Sequence, residues 1–334
     1  KRHYEKPIEI SDLVLLDRER CILCARCTRF SDEISGDPLI EFKDRGSHTQ
    51  VITFPGEPFV SYFSGNTVQI CPVGALTAKP YRFRARPWDL EAVESVSPVD
   101  SFGSKVSVQS SQNEIVRING VDNDATNQSW LSDKDRFAFQ YLHSAERVTE
   151  PLIRDGDGFR TASWGEALDL VSEQLSALIG AEIAGLGGAR NTNEEVFAFQ
   201  KFLRTEIVTP HLDAQLDDGL DHELMAGIGS RATINDLERA RTILLWAADL
   251  KEELPVLYLR VRRAATALGA NLIVVHPRAT GLDDVAAHKI NYKPGEGPEI
   301  LRKLASGAVG EGDFHAARQL LDEGPVMVLF GRTG

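Results

Sequence analysis

The spacing of apolar residues changes at about residue 146. Beyond this point apolar positions recur at i, i+3 and i+4 over residues 164–179, a period typical of an amphipathic helix. Short apolar runs then alternate with further helical patterns, an order that predicts a parallel sheet covered by helices on both faces. The predicted helices are residues 164–179, 193–206 and 254–268, and the predicted strands are residues 182–186, 242–247, 271–276 and 325–330.

The last of these strands, residues 325–330, is followed only by Gly-Arg-Thr-Gly. A parallel strand in the middle of such a sheet needs the crossover helix that comes after it. We therefore expect this strand to lie inside the sheet, the α/β domain to be incomplete at its C-terminal end, and the chain to be part of a longer protein.

The first 145 residues show two other patterns. Residues 1–90 contain a predicted helix that ends at Gly36, a predicted hairpin formed by residues 39–44 and 49–54, and a loop-rich return over residues 56–80. The next segment has short predicted strands at residues 105–109 and 114–118 and few helical patterns. The sequence thus predicts an α+β module at 1–90, a small β-rich domain at 91–145 and a doubly wound α/β domain at 146–334.

Composition narrows the functional classes. The chain has 334 residues, 42% of them hydrophobic, and a formal net charge of −12, which argues against nucleic acid as a partner. No apolar run approaches the roughly 18 residues of a membrane span. The charged first residues lack the apolar core of a secretory signal, so we expect a reducing compartment and no disulfides.

All four cysteines fall in a pattern that suits an iron–sulfur cluster. Cys21, Cys24 and Cys27 form a C-x2-C-x2-C run, and Cys71 is followed by Pro72. Such a run presents three thiolates from one loop, and a remote Cys-Pro supplies the fourth ligand of a [4Fe-4S] cubane. The alternative is a structural zinc, although zinc sites usually consist of two separated C-x2-C pairs.

A second cluster in the same module is not expected. Two-cluster ferredoxins continue the run with a fourth cysteine. The position four beyond Cys27 is Ser31, and the same spacings counted back from Cys71 give Thr67, Ser64 and Ser61. The sequence therefore predicts one cluster on this chain.

Three arginines, Arg20, Arg26 and Arg29, lie beside the predicted ligands. Positive charge near a cluster stabilises its reduced form and raises its potential. A solvated surface or an ion pair accounts for these arginines equally well.

Three motifs carry a family resemblance: DRERCILCARCTRF at 17–30, SGNTVQICPVGAL at 64–76 and RPWDL at 86–90. They resemble the large iron–sulfur subunit of the proton-pumping NADH:quinone oxidoreductase, respiratory complex I. The remainder resembles the molybdopterin oxidoreductases. The resemblance implies that residues 1–90 form a ferredoxin-like module, in which Cys21, Cys24, Cys27 and Cys71 bind a [4Fe-4S] cluster midway between flavin and quinone.

The same resemblance implies partners and a location. It implies peripheral-arm neighbours that carry the flavin and the quinone-side clusters, and attachment through them to the cytoplasmic face of the bacterial plasma membrane. Further [2Fe-2S] and [4Fe-4S] clusters are expected on the family's N-terminal part, outside this chain.

Two departures from the family pattern qualify the expected chemistry. Where the molybdopterin family has four cysteine ligands, this chain has Ser97, Asp100, Ser104 and Ser132. The resemblance thus implies a degenerate domain that has lost its cluster; the alternative is a cluster held by these oxygen ligands.

The α/β domain has no cysteine after Cys71 and no G-x-G-x-x-G or Walker pattern. We expect no catalytic residues on the chain and a non-catalytic scaffold in this domain. The alternatives are a molybdopterin-dependent formate dehydrogenase and the iron–sulfur subunit of an NAD-linked hydrogenase.

Overall fold

The computed structural model describes residues 3–188, 190–214, 222–227, 231–306 and 312–331. The chain forms two compact units. Unit 1 contains residues 1–139 and 231–334, and unit 2 contains residues 140–230. The boundaries near residues 90 and 145 that the sequence suggests stay predictions.

The strands and helices follow in chain order. The strands are β1 (Ile8–Glu9), β2 (Val14–Leu16), β3 (Glu41–Lys43), β4 (Gln50–Ile52), β5 (Leu76–Ala78), β6 (Glu91–Val96), β7 (Lys105–Ser111), β8 (Glu114–Gly120), β9 (Leu152–Asp155), β10 (Gly158–Thr161), β11 (Ala184–Leu186), β12 (His211–Asp213), β13 (Thr242–Trp246), β14 (Asn271–Val275), β15 (His288–Ile290) and β16 (Val326–Phe330). The α-helices are α1 (Arg26–Arg29), α2 (Ser64–Ile70), α3 (Asp133–Phe137), α4 (Trp164–Ser176), α5 (Asn193–Phe202), α6 (His222–Gly227), α7 (Leu250–Glu253), α8 (Pro255–Ala267), α9 (Gly297–Ser306) and α10 (Asp313–Asp322).

The N-terminal part of unit 1 is built on short antiparallel strands. Strand β2 lies between β1 and β5, and β3 pairs with β4 in the predicted hairpin. The predicted helix over residues 21–34 begins only at Arg26, because Leu23 and Ala25 have left-handed backbone angles (φ 56° and 61°) that a helix cannot contain. It continues as a π-helical turn over Phe30–Ile34 and stops before Gly36, where φ is 71°.

Strands β6, β7 and β8 form an antiparallel sheet in that order. Strands β7 and β8 confirm the two strands predicted for this segment and extend each by two residues. A bulge between Gln109 and Ser110 shifts their register.

Three of the four strands predicted for the parallel sheet lie together in unit 1, whereas the fourth, predicted at residues 182–186, pairs with β12 in a separate two-stranded sheet. The order of the parallel sheet in unit 1 is β15-β14-β13-β16, and all neighbouring strands are parallel. Alternate residues of β13 pack on opposite faces: Ile243 and Leu245 join one core cluster with Tyr258 of α8, and Leu244 joins another with Leu304 of α9. Both faces of the sheet are therefore covered.

The expectation that the last strand lies inside the sheet is wrong for the described strands. Strand β16 pairs with β13 and forms an edge of the sheet. Met327 is buried, whereas Val328 and Phe330 are exposed. A five-residue apolar run does not distinguish a central strand from an edge strand with one covered face.

Helix α2 corrects the prediction of a loop-rich return to Cys71. Its sequence, Ser-Gly-Asn-Thr-Val-Gln-Ile, is rich in poor helix formers. The carboxylate of Asp133 accepts hydrogen bonds from the backbone N–H of Ser64 (3.0 Å) and of Gly65 (2.7 Å), and from the Ser64 hydroxyl. These bonds satisfy the free N–H groups of the first turn from a residue 69 positions away.

The N-terminal module and the parallel sheet share one core within unit 1. Phe63 stacks on Tyr258 with ring centroids 5.8 Å apart. The Tyr258 hydroxyl donates to the carbonyl of Ser35 (3.0 Å), and Lys251 forms a half-buried ion pair with Asp37 (2.6 Å). The sheet thus supports the segment that carries the cysteines.

Unit 2 contains the hairpin β9–β10, a parallel pair β11–β12 and helices α4, α5 and α6. Ser163 caps α4 and Thr192 caps α5, each by accepting a hydrogen bond from a backbone N–H three residues on. The predicted helices and the first predicted strand of this region are confirmed with shorter ends. None of the described helices has the length and hydropathy needed to cross a bilayer.

Replacing the capping carboxylate tests the account of α2. Asp133→Asn keeps one acceptor oxygen but turns an NH2 group toward N–H and O–H donors. We expect the free energy of unfolding, measured by chemical denaturation, to fall by about 2 kcal/mol. Asp12→Asn, at an exposed carboxylate of the same unit, is the control and is expected to change it little. Equal stability of the two variants would contradict this role of Asp133.

Candidate metal centre

All four cysteines line one apolar cavity in unit 1. Its walls include Leu16, Val51 and Leu76, which belong to a buried core cluster against which Cys21, Cys27 and Cys71 also pack. Cys24 is exposed and the other three are partly buried. The structure therefore brings together every cysteine that the sequence singles out.

The backbone around the cavity is shaped to face sulfur atoms. Left-handed angles at Leu23 and Ala25 curl the loop, and the N–H of Leu23 points at Cys21 Sγ, 3.4 Å away. The backbone N–H of Thr28 lowers the pKa of Cys27 and so favours its thiolate. After Cys71 the chain turns at Gly74 with φ 62°, an angle that glycine adopts without strain.

The electrostatics of the cavity require a cationic group. Burial, with smaller contributions from charge on the other three sulfurs, raises the pKa of Cys27 to about 11. Burial also raises the pKa of Cys21, with smaller contributions from Cys71 and Cys24. Four thiolates this close repel one another, and bound iron would supply the compensating charge.

The donor set fits a cubane: four thiolates around an apolar cavity, three of them from one loop. In the described ranges no group of three or more His, Cys, Asp or Glu residues is arranged to hold a single metal ion. A single zinc would need its four sulfurs about 2.3 Å from one point. Metal analysis decides between a cluster and zinc.

Two of the three neighbouring arginines are engaged in exposed ion pairs. Arg20 lies 3.3 Å from Asp17, and Arg29 lies 2.8 Å from Glu33. Their side chains are 62% and 69% exposed. Water and the partner carboxylates therefore screen the charges of Arg20 and Arg29. The side chain of Arg26 is exposed, so solvent screens its charge as well.

Three of the four positions that lack cysteine lie around a carboxylate that the sequence interpretation missed, Asp135. The hydroxyls of Ser97 and Ser132 both donate to it, the latter at 2.6 Å. Burial raises the pKa of Asp100, and the charge of Asp135 raises it further. Ser104 contributes its carbonyl, which accepts from the N–H of Ser97 (2.8 Å).

The Ser104 hydroxyl is buried without a hydrogen-bond partner among the described residues. Ser132 and Asp135 form a capping box at the start of α3. The Ser-x-x-Asp spacing of that box is the sequence signal from which the role of Asp135 could have been predicted.

Sequence interpretation also missed Arg136. This buried side chain donates to Asn66 Oδ1 (3.1 Å) and Gln69 Oε1 (2.8 Å) of α2, and to the carbonyl of Ile118 (3.1 Å) of β8. It therefore joins the helix that ends at Cys71 to the antiparallel sheet. No local sequence pattern signals such a contact.

Three family models match the chain. They are the ferredoxin-like domain of NADH-quinone oxidoreductase subunit 3 (residues 11–77), the NDSU1/NuoG-like 4Fe-4S domain of NADH-ubiquinone oxidoreductase (90–140) and molybdopterin oxidoreductase (147–308). The ferredoxin-like and molybdopterin-oxidoreductase domains expected from the sequence are thus confirmed.

Similar curated proteins share nearly the whole chain. The G subunit of NADH-quinone oxidoreductase from Streptomyces coelicolor is 40% identical over 98% of the chain, and that from Mycobacterium tuberculosis is 42% identical over 93%. The chain spans 42% and 40% of these relatives, about two fifths of their length. Among solved structures, acetylene hydratase from Pelobacter acetylenicus matches 64% of the chain and 31% of its own, with a TM-score of 0.51 and 15% identity, a likeness of fold alone.

Asp100 gives a test of the environment around Asp135. Because burial and the nearby charge raise its folded-state pKa above 3.8, the wild type loses stability as the pH rises from about 3.8 through that folded pKa. Asp100→Asn removes this loss and keeps the oxygen that accepts from the N–H of Phe102. We expect it to raise the free energy of unfolding near neutral pH by up to about 1 kcal/mol.

Denaturation curves from pH 4 to pH 8 check this expectation. The difference between Asp100→Asn and the wild type should be small at the acid end and grow as the pH rises. A difference that shrinks with rising pH would contradict the raised pKa of Asp100.

Proposed function

The chain belongs to the family of the G subunit of NADH-quinone oxidoreductase, and from this membership we propose that it is an electron-transfer subunit of that enzyme. In this proposal it relays single electrons from the flavin side toward quinone through one [4Fe-4S] cluster. The observation that carries the proposal is that all four cysteines of the chain line one and the same apolar cavity. No step of substrate chemistry is assigned to the chain itself.

In this proposal Cys21, Cys24, Cys27 and Cys71 hold the cluster, which when bound supplies a one-electron redox centre. The chain's own residues perform three tasks around it. The cysteine thiolates supply the ligands, the apolar wall formed by residues such as Leu16 and Leu76 limits water, and the loop amides direct N–H groups at sulfur.

We also propose that residues 91–145 form a degenerate domain without a cluster. They match a model named for a 4Fe-4S domain, but they contain no cysteine. Asp135 accepts hydrogen bonds from the hydroxyls of Ser97 and Ser132. Burial raises the pKa of Asp100, and the charge of Asp135 contributes to that rise. A polar network at these positions supports a structural role in place of a redox role.

The domain at 146–334 is proposed to be a non-catalytic scaffold, doubly wound in the manner of the molybdopterin oxidoreductases. The stacking of Tyr258 on Phe63 and the Lys251–Asp37 ion pair support the scaffold role within unit 1. The proposed partners are the flavin-bearing and quinone-side iron–sulfur subunits. They would place the chain peripherally at the cytoplasmic face of the membrane, and the family's other clusters would lie outside it.

Metal analysis combined with electron paramagnetic resonance tests the proposal. The chain purified without oxygen should contain about four irons and no molybdenum, and dithionite should produce the signal of one reduced cubane. Zinc without a reducible signal would favour the structural-zinc alternative. Molybdenum bound to the chain would favour a molybdopterin enzyme, and a second cubane would contradict the degenerate domain.

A pair of variants locates the cluster. Cys71→Ala removes one thiolate and is expected to lose most of the iron and the reducible signal. Ser104→Ala, at a buried hydroxyl without a hydrogen-bond partner among the described residues, is the matched control. Ser104→Ala should keep both the iron and the reducible signal. Loss of iron in Ser104→Ala with retention in Cys71→Ala would contradict the ligand assignment.

A further inference from the structure

Arg136 is a buried cation whose hydrogen bonds all go to neutral oxygens. Its residue is 4% exposed. Nη1 donates to the carbonyl of Ile118 and to Asn119 Oδ1, both at 3.1 Å. Nη2 donates to Asn66 Oδ1 at 3.1 Å and to Gln69 Oε1 at 2.8 Å. Four fixed bonds therefore hold the guanidinium in one place.

Among the described residues no carboxylate pairs with this charge at contact distance, although Asp133 and Asp135 lie near enough for their charges to raise the pKa of Arg136. Among the described residues, Arg136 has no ion pair within 4.0 Å, and its buried Nε has no partner. Asp133 caps α2, and Asp135 accepts from the serines. Burial lowers the pKa of Arg136 to about 10, which still leaves it charged at neutral pH.

The charge lies close to the helix that ends at Cys71. Gln69, which accepts from Arg136, is two residues before that cysteine, and both Arg136 and Cys71 line a cavity of about 260 Å³. Gly65 permits the approach, because a Cβ there would lie 2.4 Å from Arg136 Cδ. Gln69 and Gly65, both in α2, thus set the position of the cation next to this helix.

Burial makes this charge more effective than the arginines of the cysteine loop. Arg20 and Arg29 are largely exposed and paired with carboxylates. Water and salt screen charges of that kind, whereas a desolvated cation acts through a lower effective dielectric.

We propose that Arg136 is a positioning residue whose buried positive charge raises the reduction potential of the cluster bound by Cys71 and its three companions. Reduction adds one electron to the cluster, no bond forms or breaks, and the guanidinium keeps its proton. The added negative charge is stabilised by a cation already fixed in place. The inference rests on the proposed function, since it needs a redox cluster at the four cysteines.

Potentiometric titration of the purified chain, with dithionite as reductant and the paramagnetic signal as readout, tests this role. Arg136→Met keeps the length of the side chain and removes its charge. It should make reduction about tenfold less favourable, a decrease of about 59 mV. Arg136→Lys keeps the charge and should recover most of the potential. Arg84→Met, at an exposed ion pair with Glu114, is the control and should not shift it.

A second variant, Asn119→Asp, tests the same role of the charge if Arg136→Met fails to fold. Asn119→Asp keeps the side-chain shape and the acceptor oxygen, and places a carboxylate beside Nη1. It should also lower the potential.

The outcomes separate the two proposals. If the wild type has a reducible cluster and Arg136→Met leaves its potential unchanged, this inference alone is overturned. Where Arg136→Met does not fold, an unchanged potential in Asn119→Asp overturns it. Equal shifts in Arg136→Met and Arg136→Lys overturn the role of the charge. A wild type without a reducible cluster overturns the proposed function and this inference with it.

Discussion

The position of Cys71 depends on how helix α3 holds helix α2. Asp133 of α3 binds the first N–H groups of α2, and three residues later Arg136 binds Asn66 and Gln69 along the same helix. These groups are buried, where an unpaired polar group would be costly. Losing one contact would leave its buried partner unpaired, so the contacts are made together or lost together. Together they hold Cys71 in a fixed place at the end of a seven-residue helix of poor helix formers.

This arrangement gives residues 91–145 a use that does not need a metal. Helix α3 starts at a capping box formed by Ser132 and Asp135, and Arg136 ties α2 to the carbonyl of Ile118 in β8. A segment with polar groups at all four expected ligand positions thus still shapes the neighbouring cysteine site.

The sequence could predict features that depend on local spacing. The C-x2-C-x2-C run and the Cys-Pro motif predicted a site, and the structure places all four cysteines at one cavity. Apolar periodicity likewise predicted strands β13, β14 and β16 and the covering helix α8, but it did not predict β15 or α9. Helix α2 could not be found this way, because its capping carboxylate lies 69 residues further along the chain. The edge position of β16 depends on which strands pair, and an apolar run does not encode that.

The central claim is that this chain carries one cubane, at the four cysteines, and none at the positions around Asp135. Mössbauer spectroscopy of the chain produced with isotopically enriched iron counts every iron environment directly, whether or not it is paramagnetic. We predict the spectrum of a single [4Fe-4S] cluster that disappears in Cys71→Ala. A second cluster component that survives this substitution, or iron bound only as isolated ions, would contradict the claim.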